Sequence, residues 1–323
     1  MSRICGFPNT TTGRACTQVV ENFHDHCEAG HPCPLVAASI MTGSENLKAM
    51  DTQLEIDDLT FGEAPKVEQP LWAEGRLLGL DLETTSADPL TAQPVSYGLS
   101  DFSDGELQSS TSVLVKPTVP IYPGAIAVHG ITEEAVLERG IPLETAIAHL
   151  KNAILEASAN GVPLVGMNVR FDLIIVDVLA HSLFGEGLAE SGWRGPVIDI
   201  AVIDRYYDKW RKGKRRLEDL CGLTGVDPGN AHDAAADACA SVRIAIDFSA
   251  RYPEIATMTP RELTEQQIQW RKEWYDDYSQ YRAGKGESPM PEYERYWPLS
   301  APFPELLSAE SDIAITTPAG ITS

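Results

Sequence analysis

The chain is short of positive charge. Its 323 residues include 25 lysines and arginines against 47 aspartates and glutamates, a formal charge of -22 at pH 7. Proteins that coat nucleic acid without sequence preference use Lys and Arg to displace counterions from phosphates, so this balance excludes that class. It leaves room for an enzyme acting on nucleic acid, because cations held in a carboxylate site attract phosphate while the acidic surface limits unproductive sticking. No stretch approaches the roughly 20 apolar residues that span a bilayer, and the opening MSRICGFPNT lacks the apolar run of a signal peptide. A cytoplasmic protein with no membrane partner is therefore expected. The six cysteines do not form a secreted disulfide framework: Cys5, Cys16, Cys27 and Cys33 crowd the start, while Cys221 and Cys239 lie far away in apparent helices. A reducing compartment fits this distribution. Internal repeats are absent, and so is any C-x-x-C pair.

Apolar content is ample, at 43% hydrophobic, enough for one sizeable domain with appendages. Residues 1–34 read as a Cys/His-rich unit and 35–71 as an acidic linker without sustained period. Residues 72–252 read as the main domain, 253–302 as a helical extension and 303–323 as a disordered tail. Within the main domain, strands are expected at 76–83, 94–101, 111–116, 163–166 and PVIDI, with helices at 142–158, 168–184, 199–210, 215–224 and 232–250. A meander of strands followed by strands alternating with helices predicts an α/β fold with a mixed five-stranded sheet flanked by helices. Beyond Tyr252 a polar helix should end near Gly284. Its aromatics Trp270, Trp274, Tyr275, Tyr278 and Tyr281 recur at helical spacing, which favours packing on the domain over base stacking or contact with a polymerase.

Three acidic clusters stand in order along the main domain: LGLDLETT, NVRFD and HDAAAD. Asp81 and Glu83 are two apart on the first strand, so both carboxylates project from one face while Leu80 and Leu82 enter the core. Acidic residues at the end of a strongly apolar strand are costly to bury without a cation. Asn168 and Asp172, four apart, share a face at the start of a helix; Asn168 reads as its N-cap and Asp172 as the chemical group. Asp177 points about 140° away from Asp172 and faces elsewhere. His232 and Asp237, five apart, cannot face one site from inside a regular helix, so His232 should precede the helix on a loop and Asp237 should sit within it. The alternative pair Asp233 and Asp237 shares a face, although Asp233 also suits the helix start as a dipole partner.

Two further features carry chemistry. KWRKGKRR contributes Lys209, Arg211, Lys212, Lys214, Arg215 and Arg216, six cations in eight residues of an acidic chain, and reads as a contact for a phosphate backbone. At the start, Cys5, Cys16, Cys27 and His31 follow the pattern C-x10-C-x10-C-x3-H, the donor set of a structural Zn²⁺ that could fold a segment too short for its own core. Cys33, His24 and His26 are alternative ligands. Docking to DNA or to a partner protein is the expected use, and spacing does not choose between them.

The ordered clusters D-x-E, N-x-x-x-D and H-x-A-x-x-D, with AVHGIT, LEDLC and VIDIAVID between them, resemble the DEDDh (DnaQ-like) 3′-to-5′ exonucleases, the family containing the proofreading epsilon subunit of bacterial DNA polymerase III and ribonuclease T. The likeness covers about residues 75–250. It implies a ribonuclease-H-like fold and release of 5′-mononucleotides from a 3′ end. Two Mg²⁺ or Mn²⁺ would be held by Asp81, Glu83, Asp172 and Asp237, with His232 as general base and Thr84 near the terminal nucleotide. Single-stranded or frayed DNA is the substrate that this reading favours, with a DNA polymerase or another replication protein as partner. An exoribonuclease of the same fold is the nearest rival. The rival of another kind is a non-catalytic recruitment protein, against which the complete set of five residues speaks.

Overall fold

In the computed structural model the described residues are 71–230 and 232–299, together with two short strands, β1 (Arg3–Ile4) and β2 (Val19–Val20), which pair antiparallel. The expected zinc ligands Cys5, Cys16, Cys27 and His31, the linker as far as residue 70 and the tail from residue 303 lie outside them.

The main domain begins with three long strands, β3 (Leu77–Thr84), β4 (Pro94–Ser103) and β5 (Glu106–Lys116), joined as an antiparallel meander. Two seven-residue helices follow, α1 (Pro123–His129) and α2 (Glu133–Arg139), then a two-residue strand β6 (Ile141–Pro142) and α3 (Leu143–Ala159). The second half alternates: β7 (Leu164–Gly166), α4 (Arg170–Phe184), β8 (Val197–Asp199), α5 (Ile200–Tyr207), α6 (Leu217–Thr224) and α7 (Ala234–Arg251). A short α8 (Pro253–Ala256) leads to the 25-residue α9 (Pro260–Gly284). The sheet order is β6-β5-β4-β3-β7-β8, with β7 and β8 parallel to β3. This is the mixed, helix-flanked sheet of the ribonuclease-H-like class. One short edge strand, β6, is added to the five expected, carried by the α1–α2 segment that the hydropathy pattern did not signal.

Two glycines position the site. A Cβ on Gly98 would lie 2.2 Å from the backbone of Ala234, and one on Gly79 would lie 2.8 Å from the carbonyl oxygen of Ala238. Their bare backbones let α7 settle onto β3 and β4 through its own alanines, Ala234 and Ala238, both fully buried. Since Gly79 faces α7, the two-residue period of a strand aims Asp81 and Glu83 at α7 as well. Leu80 and Leu82 go to the opposite, buried face.

The last strand, β8, would be an open edge, and α9 covers it. Val197 N–H donates to Thr264 Oγ1 at 2.9 Å and Asp199 N–H donates to Gln267 Oε1 at 2.8 Å, while Gln267 Nε2 donates back to Val197 O at 2.9 Å. Two buried side chains thus replace the ladder of a missing strand, which removes the edge as a site for stray pairing. α9 starts with a capping box: Glu262 N–H donates to Thr259 Oγ1, and Thr259 N–H donates to Glu262 Oε2 at 2.7 Å, with Pro260 at the first helical position. Among the described residues no helix is long and apolar enough to cross a membrane.

Candidate active site

Asp81 and Glu83 leave β3 beside the N-terminus of α7, where Asp237 stands in the first turn. Asp172 comes in from the first turn of α4, and its Oδ1 accepts the Leu82 backbone N–H at 3.1 Å, tying helix to strand. Asp233 is the N-cap of α7, accepting from the N–H groups of Ala235 and Ala236. His232 lies outside that helix with φ 66°, and its backbone N–H donates to Asp237 Oδ2 at 3.3 Å. Ligand atoms of Glu83, His232 and Asp237 all lie within 4.8 Å of one another. His232 Nε2 sits 3.7 Å from Glu218 Oε1, a carboxylate presented by α6.

Asn168 does not cap α4. It adopts φ 56°, a left-handed conformation that Asn tolerates, and its backbone N–H donates to Asp199 Oδ1 at 2.9 Å; Val169 takes the cap position without a side-chain bond. Asp177 faces away from the cluster and accepts the Leu188 N–H at 2.7 Å.

The carboxylates oppose one another. Burial pushes the Asp81 carboxyl well above the usual carboxylate range, and the charges of Asp172, Asp237 and Glu83 push it further. Burial does the same to Asp172, against the lowering effect of backbone N–H groups including Leu82, and Asp199 and Glu83 add to the rise. Glu83 is pushed up to about 8 by burial, with Asp237 and Asp233 contributing. Asp237 is raised by burial and partly relieved by the His232 N–H. Four carboxyls that disfavour each other's ionisation are a site suited to divalent cations, which accept oxygen donors and cancel the repulsion.

A groove of about 630 Å³ opens next to this cluster, lined by Glu83, Thr84, Tyr122, Val128, His129 and Phe171 among others. His129 fixes its wall. The ring's Nδ1 accepts from Ile131 N–H at 3.0 Å, which leaves the proton on Nε2, facing Thr84 O at 3.3 Å. Burial lowers the pKa of His129, so the neutral ring is the form that makes these bonds. Thr84 Oγ1 donates to Ser86 O at 2.8 Å. The role of His129 escaped the sequence reading because AVHGIT shows neither a metal spacing nor a periodic pattern.

The basic run divides in two. Arg211 and Arg215 both grip the buried Asp204, each at 2.6 Å. Lys209 pairs with Asp277 at 2.7 Å, and Arg216 pairs with Glu218 at 3.1 Å. Lys212 and Lys214 are exposed and make no ion pair among the described residues.

A sheet of this order, with an acidic central strand meeting acidic first turns of two helices, defines a ribonuclease-H-like nuclease centre. The family model described as Exonuclease, of the ribonuclease T type, matches residues 78–245, about half of the chain, and the chain belongs to that exonuclease family. Curated relatives include the PolC-type DNA polymerase III of Thermotoga petrophila, 23% identical over 248 residues, and that of Thermotoga maritima, 26% identical over 192 residues. The matches cover 75% and 59% of this chain but only 16% and 12% of those proteins. Similar solved structures include Escherichia coli exonuclease I in complex with a dT13 oligonucleotide, 23% identical with a TM-score of 0.48. Another is exonuclease I of Methylocaldum szegediense, 25% identical with a TM-score of 0.46. Each match covers 56% of this chain and 42% of that one.

Proposed function

We propose that the protein is a metal-dependent 3′-to-5′ exonuclease that shortens single-stranded or frayed DNA and releases 5′-mononucleotides. The observation that carries this reading is the convergence of Asp81, Glu83, Asp172 and Asp237 with His232 beside a groove of nucleotide size. The four carboxylates would hold two Mg²⁺ or Mn²⁺. When bound, these ions supply the positive charge that polarises a phosphodiester, acidifies a water and steadies the leaving 3′ oxygen.

The protein's own groups do the rest. His232, held outside α7 with its Nε2 3.7 Å from the Glu218 carboxylate, accepts a proton from the attacking water. Tyr122, Val128 and Phe171 give the terminal nucleoside apolar and aromatic surface, and Thr84 and the neutral His129 shape the wall behind it. DNA is preferred over RNA as substrate because the curated relatives are DNA polymerases, and the same relatives make a polymerase the partner to test. The Cys/His unit is proposed to hold a structural Zn²⁺ through Cys5, Cys16, Cys27 and His31.

Degradation of a 5′-labelled DNA strand and of its RNA counterpart, with Mg²⁺ or Mn²⁺ and with excess EDTA, tests this reading. A ladder shortening from the 3′ end, abolished by EDTA and slowed about a thousandfold in Asp81→Ala, is expected. No cleavage of either strand by folded, metal-loaded protein, or an undiminished rate in Asp81→Ala, would overturn it.

A further inference from the structure

A second cleft, of about 790 Å³, separates α5 and the 208–216 loop from α9 and the segment after it. Helix α9 lies outside residues 78–245, which the exonuclease family model matches. The cleft is continuous in its lining with the nuclease centre: Asn168 lines both it and the groove beside Glu83, while Arg216 and Leu217 line both it and the small pocket of His232 and Asp237.

Its cations are not equivalent. Arg271 is used internally, paired with Glu294 at 2.6 Å. Arg205 makes no hydrogen bond or ion pair among the described residues; it rests over the Trp274 ring at 4.8 Å, with Arg271 over the same ring at 4.2 Å. Burial lowers the Arg205 pKa and the neighbouring Arg215 lowers it further, against the raising effect of Asp199 and Asp204. Of the 208–216 loop, Lys209, Arg215 and Arg216 line the cleft; Trp210, 85% exposed, holds its ring 5.4 Å from Lys209 Nζ, and the exposed Lys212 and Lys214 follow on the same loop. This loop is not loose: Arg211 and Arg215 anchor it on Asp204 from beneath. An indole exposed to that extent on an anchored loop, with cations on both sides, has the make-up of a platform for a base and its phosphates.

We propose that this cleft is a track for single-stranded nucleic acid upstream of the bond being cut, in which Arg205, Lys212 and Lys214 meet phosphates and Trp210 stacks a base. The planar ring and unpaired cations fit a nucleic acid strand better than an acidic peptide, which would leave the indole face unused. Lys209 and Asp277 span the cleft from loop to α9, both more than half exposed, so their bond is cheap to exchange for a phosphate. The inference rests on the nuclease reading for the direction in which the strand runs.

The test compares kcat/KM for a trinucleotide and for an oligothymidylate of about fifteen nucleotides, with Mg²⁺, in the full chain and two variants. Trp210→Ala should cut the preference for the long strand about tenfold, and Asp277→Asn, which removes an anion and frees Lys209, should increase it. The same long-to-short ratio in all three proteins would overturn the track. If the unaltered protein cleaves neither strand, the nuclease reading falls by itself. Fluorescence anisotropy of the labelled long strand in EDTA then decides the cleft alone, with about tenfold weaker binding by Trp210→Ala expected and equal binding fatal to the proposal.

Discussion

Glu83 shows at a single residue what the cluster requires. An ordinary glutamate titrates near 4.5, and here burial and the charges of Asp237 and Asp233 move the group to about 8. Its folded-state pKa is therefore raised, the reverse of a carboxylate in a salt bridge. Below pH 4.5 both folded and unfolded chains carry the proton, and the site costs nothing. Between 4.5 and 8 the folded chain binds a proton that the unfolded chain has released, so the stability of the metal-free protein falls as pH rises through that window. Divalent cations reverse the balance, because carboxylates must ionise to coordinate them. Calorimetric titration of Mg²⁺ at neutral pH, in buffers of different ionisation enthalpy, should therefore show net proton release by the wild type and less by Glu83→Gln. Zero release in the wild type would show that Glu83 is already ionised or does not take part. That Asp81 and Glu83 share a face, and that His232 precedes the helix holding Asp237, was readable in advance because strand and helix periods fix which residues can face together. Asn168 was not, since a left-handed residue at a helix entrance looks in sequence like any N-cap.

Elements differed in how far the sequence announced them. Strands β3, β4, β7 and β8 and helices α3, α4, α7 and α9 fall within a few residues of expectation, because each buries a long apolar stripe or carries an explicit cap such as the Thr259–Glu262 box. Helices α1 and α2 escaped because they bury almost nothing: α1 has no buried residue, and α2 has Val136 alone. At seven residues each, with Ala125, Ile126 and Val136 packed only on a small cluster around Val95 and Ile121, they are too short to show a period. The seating of α9 on β8 was also hidden, since Thr264 and Gln267 look like solvent-facing polar residues until they are seen replacing a strand. Removing that replacement is costly. Gln267→Leu keeps the volume but leaves Asp199 N–H and Val197 C=O without this partner in a buried setting, and the loss should be about 2 to 4 kcal/mol in urea unfolding. A loss under about 0.5 kcal/mol would mean that water or a shifted backbone takes over both bonds.

At the scale of the whole molecule, a charge of -22 and a nucleic acid substrate are compatible only if cationic contact is local. Among the described residues, Arg205 on α5 and Lys212 and Lys214 on the loop that follows it make no ion pair and are free for phosphate, and Lys209 and Arg216 could join them by giving up exposed pairs. That limits contact to about three to five phosphates. Each phosphate neutralised on a single strand contributes roughly -0.7 to the slope of log affinity against log salt, so the slope should lie between about -2 and -3.5. The acidic remainder adds repulsion that salt screens, which can only make the observed slope shallower. Measured in EDTA, so that bound metal adds nothing, affinity for a long single strand should fall about 20- to 130-fold between 50 and 200 mM salt. A slope steeper than about -5 would require more phosphate contacts than this surface can offer. The strand would then have to run somewhere other than the cleft between α5 and α9.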